Sequence, residues 1–363
     1  MPDQLYLPSV LMIPVIDHFL GYFSQDLGVD LGTVNTLIHV RGKGIVIREP
    51  SVVAQHKKTK KVLAIGGEAK KMLGRVPASI VVVRPLRDGV ISDFDTTLAM
   101  LSHFVKKIHA RPGKNFSIPR PRIVIGVPTE ASEVERRALL DVAYAAGARS
   151  AYLIEEPIAA AIGAGLSVGE PVGSMIVDIG GGTCEIAVIS LGGIVAGRFL
   201  KTAGDAMDAD IVSYVRSRFG LAIGEATAEE IKIALGNAYP LKVEKETIIR
   251  GRDLEKGLPK SVRLTSVQVR EALSTSLSTI VSAIKDTVED SPPELSADIA
   301  ERGIMLCGGG SLIPNFARLV SMEIKMPVSV AAEPLSCVVN GAVSILDNPE
   351  LLKKLKINTS ALR

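Results

Sequence analysis

The chain has 363 residues, with 42 Lys and Arg against 39 Asp and Glu, a net charge of +3. That length suggests two or three domains at roughly 100–200 residues each. With 47% hydrophobic and 22% charged residues it reads as an ordinary globular protein. It is neither a disordered chain nor a coiled coil, and so small a charge excess argues against a basic nucleic-acid binder.

There is no Trp, with eight Phe and six Tyr against 33 Gly. Val, Ile, Leu and Ala must therefore build the core, which suits packed α/β layers and not an aromatic platform for single-stranded nucleic acid. The three cysteines, Cys184, Cys307 and Cys337, form no C-x-x-C pair. They suggest a reducing cytosol instead of a disulfide scaffold or a zinc site.

Residues 1–25 read as an extension before the fold and hold Tyr6, Phe19, Leu20, Tyr22 and Phe23. The apolar run 5–16 is broken by Pro8 and Pro14 and preceded by Asp3. It is too short for a span and lacks a basic n-region, so it is not read as a signal peptide. From residue 25 apolar residues bracket a Gly-Thr-Val-Asn turn, a hairpin pattern. Residues 51–85 mix short strands, a Lys-rich stretch and a short helix over 68–73, and read as a small insertion. A Pro/Gly/basic loop over 111–121 carries Phe116 and Ile118.

A buried strand is expected over 123–127, then a helix over 132–146. The latter opens on the capping-box pattern Ser132-x-x-Glu135 and ends at Gly147. A strand over 152–154 leads into Glu155-Glu-Pro-Ile-Ala-Ala-Ala. The second half repeats this order: strand, Gly-rich turn and strand from 175; strand, turn and helix from 304; then Glu333-Pro before a small-residue helix. The chain therefore looks like a duplicated domain. Residues 205–290 read as a second, mostly helical and more polar insertion.

The Gly-rich turns carry the chemistry. In Asp30-Leu-Gly-Thr-Val-Asn-Thr36, a glycine without Cβ lets backbone N–H groups approach an anion, and Thr33, Asn35 and Thr36 add donors. Asp178-Ile-Gly-Gly-Gly-Thr183 repeats the design with Gly180, Gly181 and Gly182. One such turn is usually only a hairpin; two, each opening on an Asp at a strand end, suggest loops pinching a polyphosphate. Asp30 and Asp178 would then hold a hydrated Mg²⁺, which takes one or two carboxylates and keeps several waters. Alone, either Asp reads as a turn-capping carboxylate.

Glu156 sits where a strand meets a helix that Pro157 helps to start. A carboxylate there tends to stay ionised and would orient a water for in-line attack on a γ-phosphate, with a plain helix cap as the alternative. Gly308, Gly309 and Gly310 permit close approach of something flat or anionic. Glu229 and Lys232 share a helix face, the usual spacing of a surface ion pair.

Duplicated halves with these turns resemble the actin/Hsp70/sugar-kinase ATPase superfamily. The runs 26–53, 84–94, 154–165, 177–195 and 292–312 look like the MreB family of bacterial actin homologues, and the match extends from about residue 19 to the C-terminus. The resemblance implies a duplicated, ribonuclease H-like α/β fold of two lobes, with ATP or ADP and Mg²⁺ in the cleft. It implies an N-terminal extension (1–25) with a candidate membrane-contacting segment, and subdomains IA (26–53, 87–167, 336–363), IB (54–86), IIA (168–203, 268–335) and IIB (204–267).

By the same resemblance Gly32, Thr33, Val34 and Asn35 with Gly180 to Gly182 are the phosphate loops, and Asp30 and Asp178 the magnesium-side acids. Glu156 is the water-orienting glutamate and Thr183 its supporting neighbour. Glu229 and Lys232 lie beside adenine and ribose, Gly204 and Asp205 form the Gly-Asp turn near the ribose, and Gly308 to Gly310 complete the wall. Val34 stands where Ala is usual, and Cys184 and Cys307 where Thr is usual, which puts the rate of hydrolysis in doubt more than binding.

MreB relatives polymerise into double protofilaments on the inner face of the cytoplasmic membrane. Their partners are the peptidoglycan elongation machinery, with RodZ, MreC and MreD, and not nucleic acid. They anchor by an N-terminal segment or an apolar loop, which here would be Phe19, Leu20, Tyr22 and Phe23, or Phe116 and Ile118. Packing onto the fold or simple exposure are the alternatives for these side chains. Burying each is worth about 1.5–3 kcal/mol, weak alone and firm when a filament repeats it. The other readings of the superfamily are an Hsp70-like chaperone, for which no substrate-binding β-domain is expected here, and a small-molecule kinase, for which no acceptor base is identifiable.

Overall fold

The computed structural model describes residues 24–110 and 120–347. Phe19, Leu20, Tyr22, Phe23, Phe116 and Ile118 lie outside the described residues.

The first lobe begins with the antiparallel strands β1 (Leu27–Leu31), β2 (Asn35–Val40) and β3 (Gly44–Pro50). A small sheet follows, from β4 (Val53–His56), β5 (Val62–Ile65), helix α1 (Gly67–Lys71) and β6 (Ile80–Val83), in strand order β5-β4-β6. A ribbon of β7 (Leu86–Arg87) and β8 (Val90–Ile91) leads to α2 (Phe94–His109), β9 (Arg122–Val127), α3 (Glu133–Ala145), β10 (Ser150–Glu155) and α4 (Glu156–Gly163). The main sheet reads β3-β2-β1-β9-β10, with β9 and β10 joined in parallel.

The second lobe repeats it. β11 (Ser174–Ile179), β12 (Cys184–Ser190) and β13 (Gly193–Leu200) form the meander. Then come α5 (Gly204–Phe219), β14 (Leu221–Ala222), α6 (Glu225–Leu235), β15 (Glu246–Asp253), β16 (Pro259–Thr265), α7 (Ser266–Glu289) and α8 (Pro293–Arg302). β17 (Ile304–Cys307), α9 (Phe316–Ile324) and β18 (Val328–Val330) complete it, and α10 (Cys337–Asp347) returns to the first lobe. The sheet of the second lobe reads β13-β12-β11-β17-β18, the same order and the same parallel and antiparallel pairings. Even the register slips correspond: one lies in the β2–β3 ladder at Ile38/His39, the other in the β12–β13 ladder at Val188/Ile189. The duplication expected from the motifs is thus present strand for strand.

Local sequence explains the element ends. Ser132 and Glu135 form the reciprocal capping box of α3, and Thr265 and Gln268 form another on α7. Asp93 caps α2, its carboxylate accepting from the Thr96 N–H at 2.9 Å. The stretch 205–290 holds its long helices but also the three-stranded sheet β14-β15-β16, which the sequence reading missed. In β15 only Ile249 and Asp253 are buried, and the exposed positions of β15 and β16 mix Glu246, Ile248, Arg250, Arg252, Pro259, Ser261 and Arg263. Such a strand gives almost no apolar alternation to detect.

Two cores sit within the lobes, one around Leu27, Ile38 and Phe104, the other around Val177, Leu277 and Phe316. A third joins them through α4, α10, Val124, Ile176 and Cys307. α4 and α10 cross at contact of their backbones. A Cβ on Gly163 would collide with the Cys337 carbonyl, and one on Gly341 with the Ala159 carbonyl. α10 lies on β1, β2 and β9 of the first lobe, whereas α4 reaches β11 and β12 of the second.

Candidate functional site

Between the lobes lies a cavity of about 800 Å³. Its floor is made where the corresponding strand ends of the two halves meet. The first turn carries Gly32, Thr33, Val34 and Asn35, the second Gly180, Gly181, Gly182 and Thr183, and all line the cavity. The turns touch. A Cβ at Gly182 would lie 2.7 Å from the Thr33 Oγ1, and one at Gly181 would collide with the Val34 side chain. The glycines are therefore required by the approach of one loop to the other as well as by any ligand. Thr33 is buried and its Oγ1 accepts from the Gly89 N–H at 3.0 Å, leaving its own proton to donate. Thr36 does not join the site: it is fully buried and shares a hydrogen bond with Ser51 Oγ at 2.8 Å. Period-two alternation along β2 turns it into the core.

Gly308, Gly309 and Gly310 line the same cavity. Gly308 has φ +75°, and a Cβ there would meet Asp178 and the Ile179 carbonyl. This third run thus packs on the end of β11 as tightly as it would on a ligand. Cys307 is buried and stands opposite Asp178 in the β11–β17 ladder, and its thiol draws that carboxyl's pKa down against the rise from burial. Cys184 is buried beside Asp178 and Glu185, and burial raises its pKa far above the usual thiol value.

Asp30, Asp178 and Glu156 face this space. Burial lifts Asp178 to about 6, and burial together with the Asp178 charge raises Asp30. Glu156 was expected to stay ionised at a helix start. It is raised well above a normal carboxyl instead, by burial first and then by the charges of Glu185, Asp30 and Asp178. Loss of water outweighs what the helix N-terminus supplies. Such a concentration of buried negative charge fits a cation. Among the described residues no group of three or more ligating side chains is assembled. A Mg²⁺ that takes one or two carboxylates and keeps several waters would fit Asp30 and Asp178.

Gly204 and Asp205 open α5 directly behind the second turn, their N–H groups bonded to the Gly180 and Gly181 carbonyls at 3.2 and 2.7 Å. Glu229 and Lys232 both line the cavity but do not pair. Lys232 Nζ donates to Asp208 at 2.9 Å and to the Gly204 carbonyl at 2.7 Å, while Glu229 receives Lys70 at 2.7 Å. The surface pair suggested by their spacing is therefore replaced by two separate contacts. The Lys70–Glu229 contact spans the cleft, as do Arg84–Asp205 at 3.2 Å and Arg84–Glu225 at 3.5 Å.

The sequence reading missed Asp208, Lys70, Arg84 and Glu185. Asp208 lies one helical turn beyond Gly204, a spacing that places it on the same face. Burial lifts its pKa to about 6 against the pull of Lys232, and its Oδ1 has no partner among the described residues. Glu185 is the one charge in the apolar strand β12 and faces Asp178 across the ladder. An acid inside such a strand was the available signal. Lys70 and Arg84 come from the insertion and its exit, and nothing in their spacing points to the cleft.

The family model described as MreB/Mbl protein matches residues 24–354. The cell shape-determining protein MreB of Escherichia coli K12 is 50% identical over 337 residues, covering 92% of this chain and 96% of that protein. A crystal structure of MreB 5 of Spiroplasma citri bound to AMPPNP superposes with a TM-score of 0.85 at 36% identity, covering 92% of this chain and 98% of its own. A MamK double helical filament gives 0.76 at 26% identity, covering 90% of this chain and 99% of its own. The two lobes with one duplicated topology are the actin-like fold, and the chain belongs to the MreB/Mbl family of cell shape-determining proteins.

Proposed function

We propose that the protein is an ATP-dependent, filament-forming cytoskeletal protein whose slow ATPase times the life of its polymer. The observation that carries this is the meeting of two Gly-rich turns over a pair of buried acids, in a cleft that joins two copies of one fold. The AMPPNP complex of the Spiroplasma relative supports ATP as the ligand, and the MamK filament supports self-association into double protofilaments. In this reading the turn N–H groups bind the phosphates, and Lys232, Glu229, Gly204 and Asp205 bind the ribose and base side. Asp30 and Asp178 hold Mg²⁺ through water; the ion would neutralise phosphate charge and let both acids ionise. Glu156, supported by Thr183, orients the attacking water. The subdomain division set out from the sequence belongs to the same reading.

A γ-phosphate touching both turns favours lobe closure, and the closed subunit is the one that fits the filament. Phe19, Leu20, Tyr22, Phe23, Phe116 and Ile118 would place that filament on the inner face of the cytoplasmic membrane. There it would meet the wall-elongation machinery, with RodZ, MreC and MreD. Among the described residues no helix is long and apolar enough to cross a membrane, so attachment of the described fold would be peripheral.

The test is purified protein with Mg-ATP, followed by light scattering, electron microscopy and phosphate release. Double filaments that pellet with liposomes are expected. Pelleting should be lost when Phe19, Tyr22, Phe23 and Phe116 all become Ser. Glu156→Ala should bind ATP and slow phosphate release by about a hundredfold or more, the usual range of a general-base contribution. Soluble protein that phosphorylates a sugar would overturn the reading, and unaltered release would remove Glu156 from its role.

A further inference from the structure

We propose that Glu185 is a positioning residue for Glu156, tying its placement to the approach of the two lobes. The inference rests on the hydrolytic reading above and assigns the contact that would make hydrolysis depend on closure.

Glu185 is 2% exposed and stands on β12 in the second lobe. Its Oε2 accepts from the Thr129 N–H at 3.3 Å and the Thr129 hydroxyl at 3.0 Å. Thr129 belongs to the first lobe, two residues after β9, so these bonds cross from one lobe to the other at the base of the cleft. The far side of Thr129 is anchored too. Its carbonyl accepts from Arg136 Nη2 at 3.3 Å, and the same guanidinium lies 3.5 Å from Glu155. Glu155 is the N-cap of α4, and the next residue is Glu156. An unbroken set of polar contacts thus runs from Glu185 through Thr129 and Arg136 to the side chain of Glu155, the residue before Glu156.

Simple packing does not account for Glu185. Neighbouring positions of β12 are apolar, and an apolar side chain would avoid the cost of burying a carboxyl. The second oxygen, Oε1, is buried with no hydrogen-bond partner among the described residues. That adds a further penalty which an apolar residue would not incur. Glu185 also exerts the largest charge influence on Glu156. The contacts of Glu185 therefore bear on the residue next to the carboxyl that is to orient water. When the second lobe withdraws, Thr129 loses its acceptor on Glu185, and Arg136, still held by the Ala131 carbonyl at 3.1 Å, rests on a Thr129 no longer fixed from the other side.

The experiment uses the full chain with Mg-ATP and measures kcat and KM for phosphate release, with AMPPNP-driven light scattering as the control for folding and assembly. Glu185→Ala is expected to lower kcat about tenfold, the upper end of what one ordinary hydrogen bond contributes, with KM little changed. Glu185→Gln keeps an acceptor for Thr129 and should retain most of kcat. Thr129→Val, equal in volume, should reproduce most of the loss seen in Glu185→Ala, and the double variant should be no slower than Glu185→Ala. Wild-type kcat in Glu185→Ala, losses that add in the double variant, or a Gln variant as slow as Ala would each overturn the proposal. Should Glu185→Ala fail the AMPPNP control, the Gln and Val variants decide alone. Wild-type protein that binds ATP and releases no phosphate would overturn the hydrolytic reading and this proposal together.

Discussion

Asp30, Asp178, Glu156 and Glu185 are buried acids in one region, and each is pushed toward its protonated form by loss of water and, except at Asp178, by its neighbours' charge. The consequence for stability has a definite sign. A carboxyl raised in the folded state still holds its proton at a pH where the unfolded chain has released it, so stability falls as pH rises between the two values. Asp178 near 6, Asp30 near 7 and Glu185 near 8 set the window at about pH 4 to 8. Nucleotide-free protein should therefore melt at a lower temperature at pH 7.5 than at pH 5.5, and Mg-ATP should reverse the order. A flat or rising melting temperature in the free protein would show that these acids are better solvated than their burial implies. Asp26 acts in the opposite sense: burial raises its pKa, but Arg122 and Arg149 more than offset this and hold it below the usual range, so its contribution is lost only in acid. At this scale the sequence displayed the turn residues well, because a strand-end Asp followed by glycines is a local pattern. It hid Glu185, whose role depends on a threonine 56 positions away.

Elements were legible where the signal was local. The capping box of α3 and the start of α4 follow from side chains within four residues of one another. The sheet β14-β15-β16 was not, since its mixed exposed positions carry no periodicity and only pairing defines it. The partner of Lys232 was not either, because Asp208 comes from another helix. The α4–α10 crossing belongs to the same class. Gly341 lies in an ordinary-looking helix, yet its missing Cβ is what lets the Ala159 carbonyl sit against it. Backbone cannot yield as a side-chain tip does, so Gly341→Ala should destabilise by more than the ~1–3 kcal/mol of ordinary overpacking, despite Ala being the better helix former. Denaturant titration checks this; a neutral or stabilising effect would mean that the helices slide apart at little cost.

For the molecule as a whole, the lobes are held by contacts of very different strength. The third core is apolar, buried and continuous. Across the mouth, Lys70–Glu229 and the two pairs of Arg84 join side chains that are about a third exposed or more. Partly solvated pairs of this kind are worth only about 0–1 kcal/mol each and weaken with salt. They suit a mouth that must open. Lys70→Ala is expected to speed ADP release a few-fold at low salt and to differ little from the parent at high salt, as read by chase of a fluorescent nucleotide. Salt-independent acceleration would mean that Lys70 acts on the ligand and not on closure.

The reach of α10 has one more consequence. The helix is the last described element, yet it covers β1, β2 and β9, and Gly28 of β1 packs so closely that a Cβ there would lie 2.7 Å from the Val343 amide. His39 and Arg41 on the first lobe are bonded to Asn340 and Asp347 of the same helix. During synthesis the first sheet is therefore complete long before its cover exists. On the ribosome the nascent first half must wait, one apolar face bare, until translation has passed residue 347.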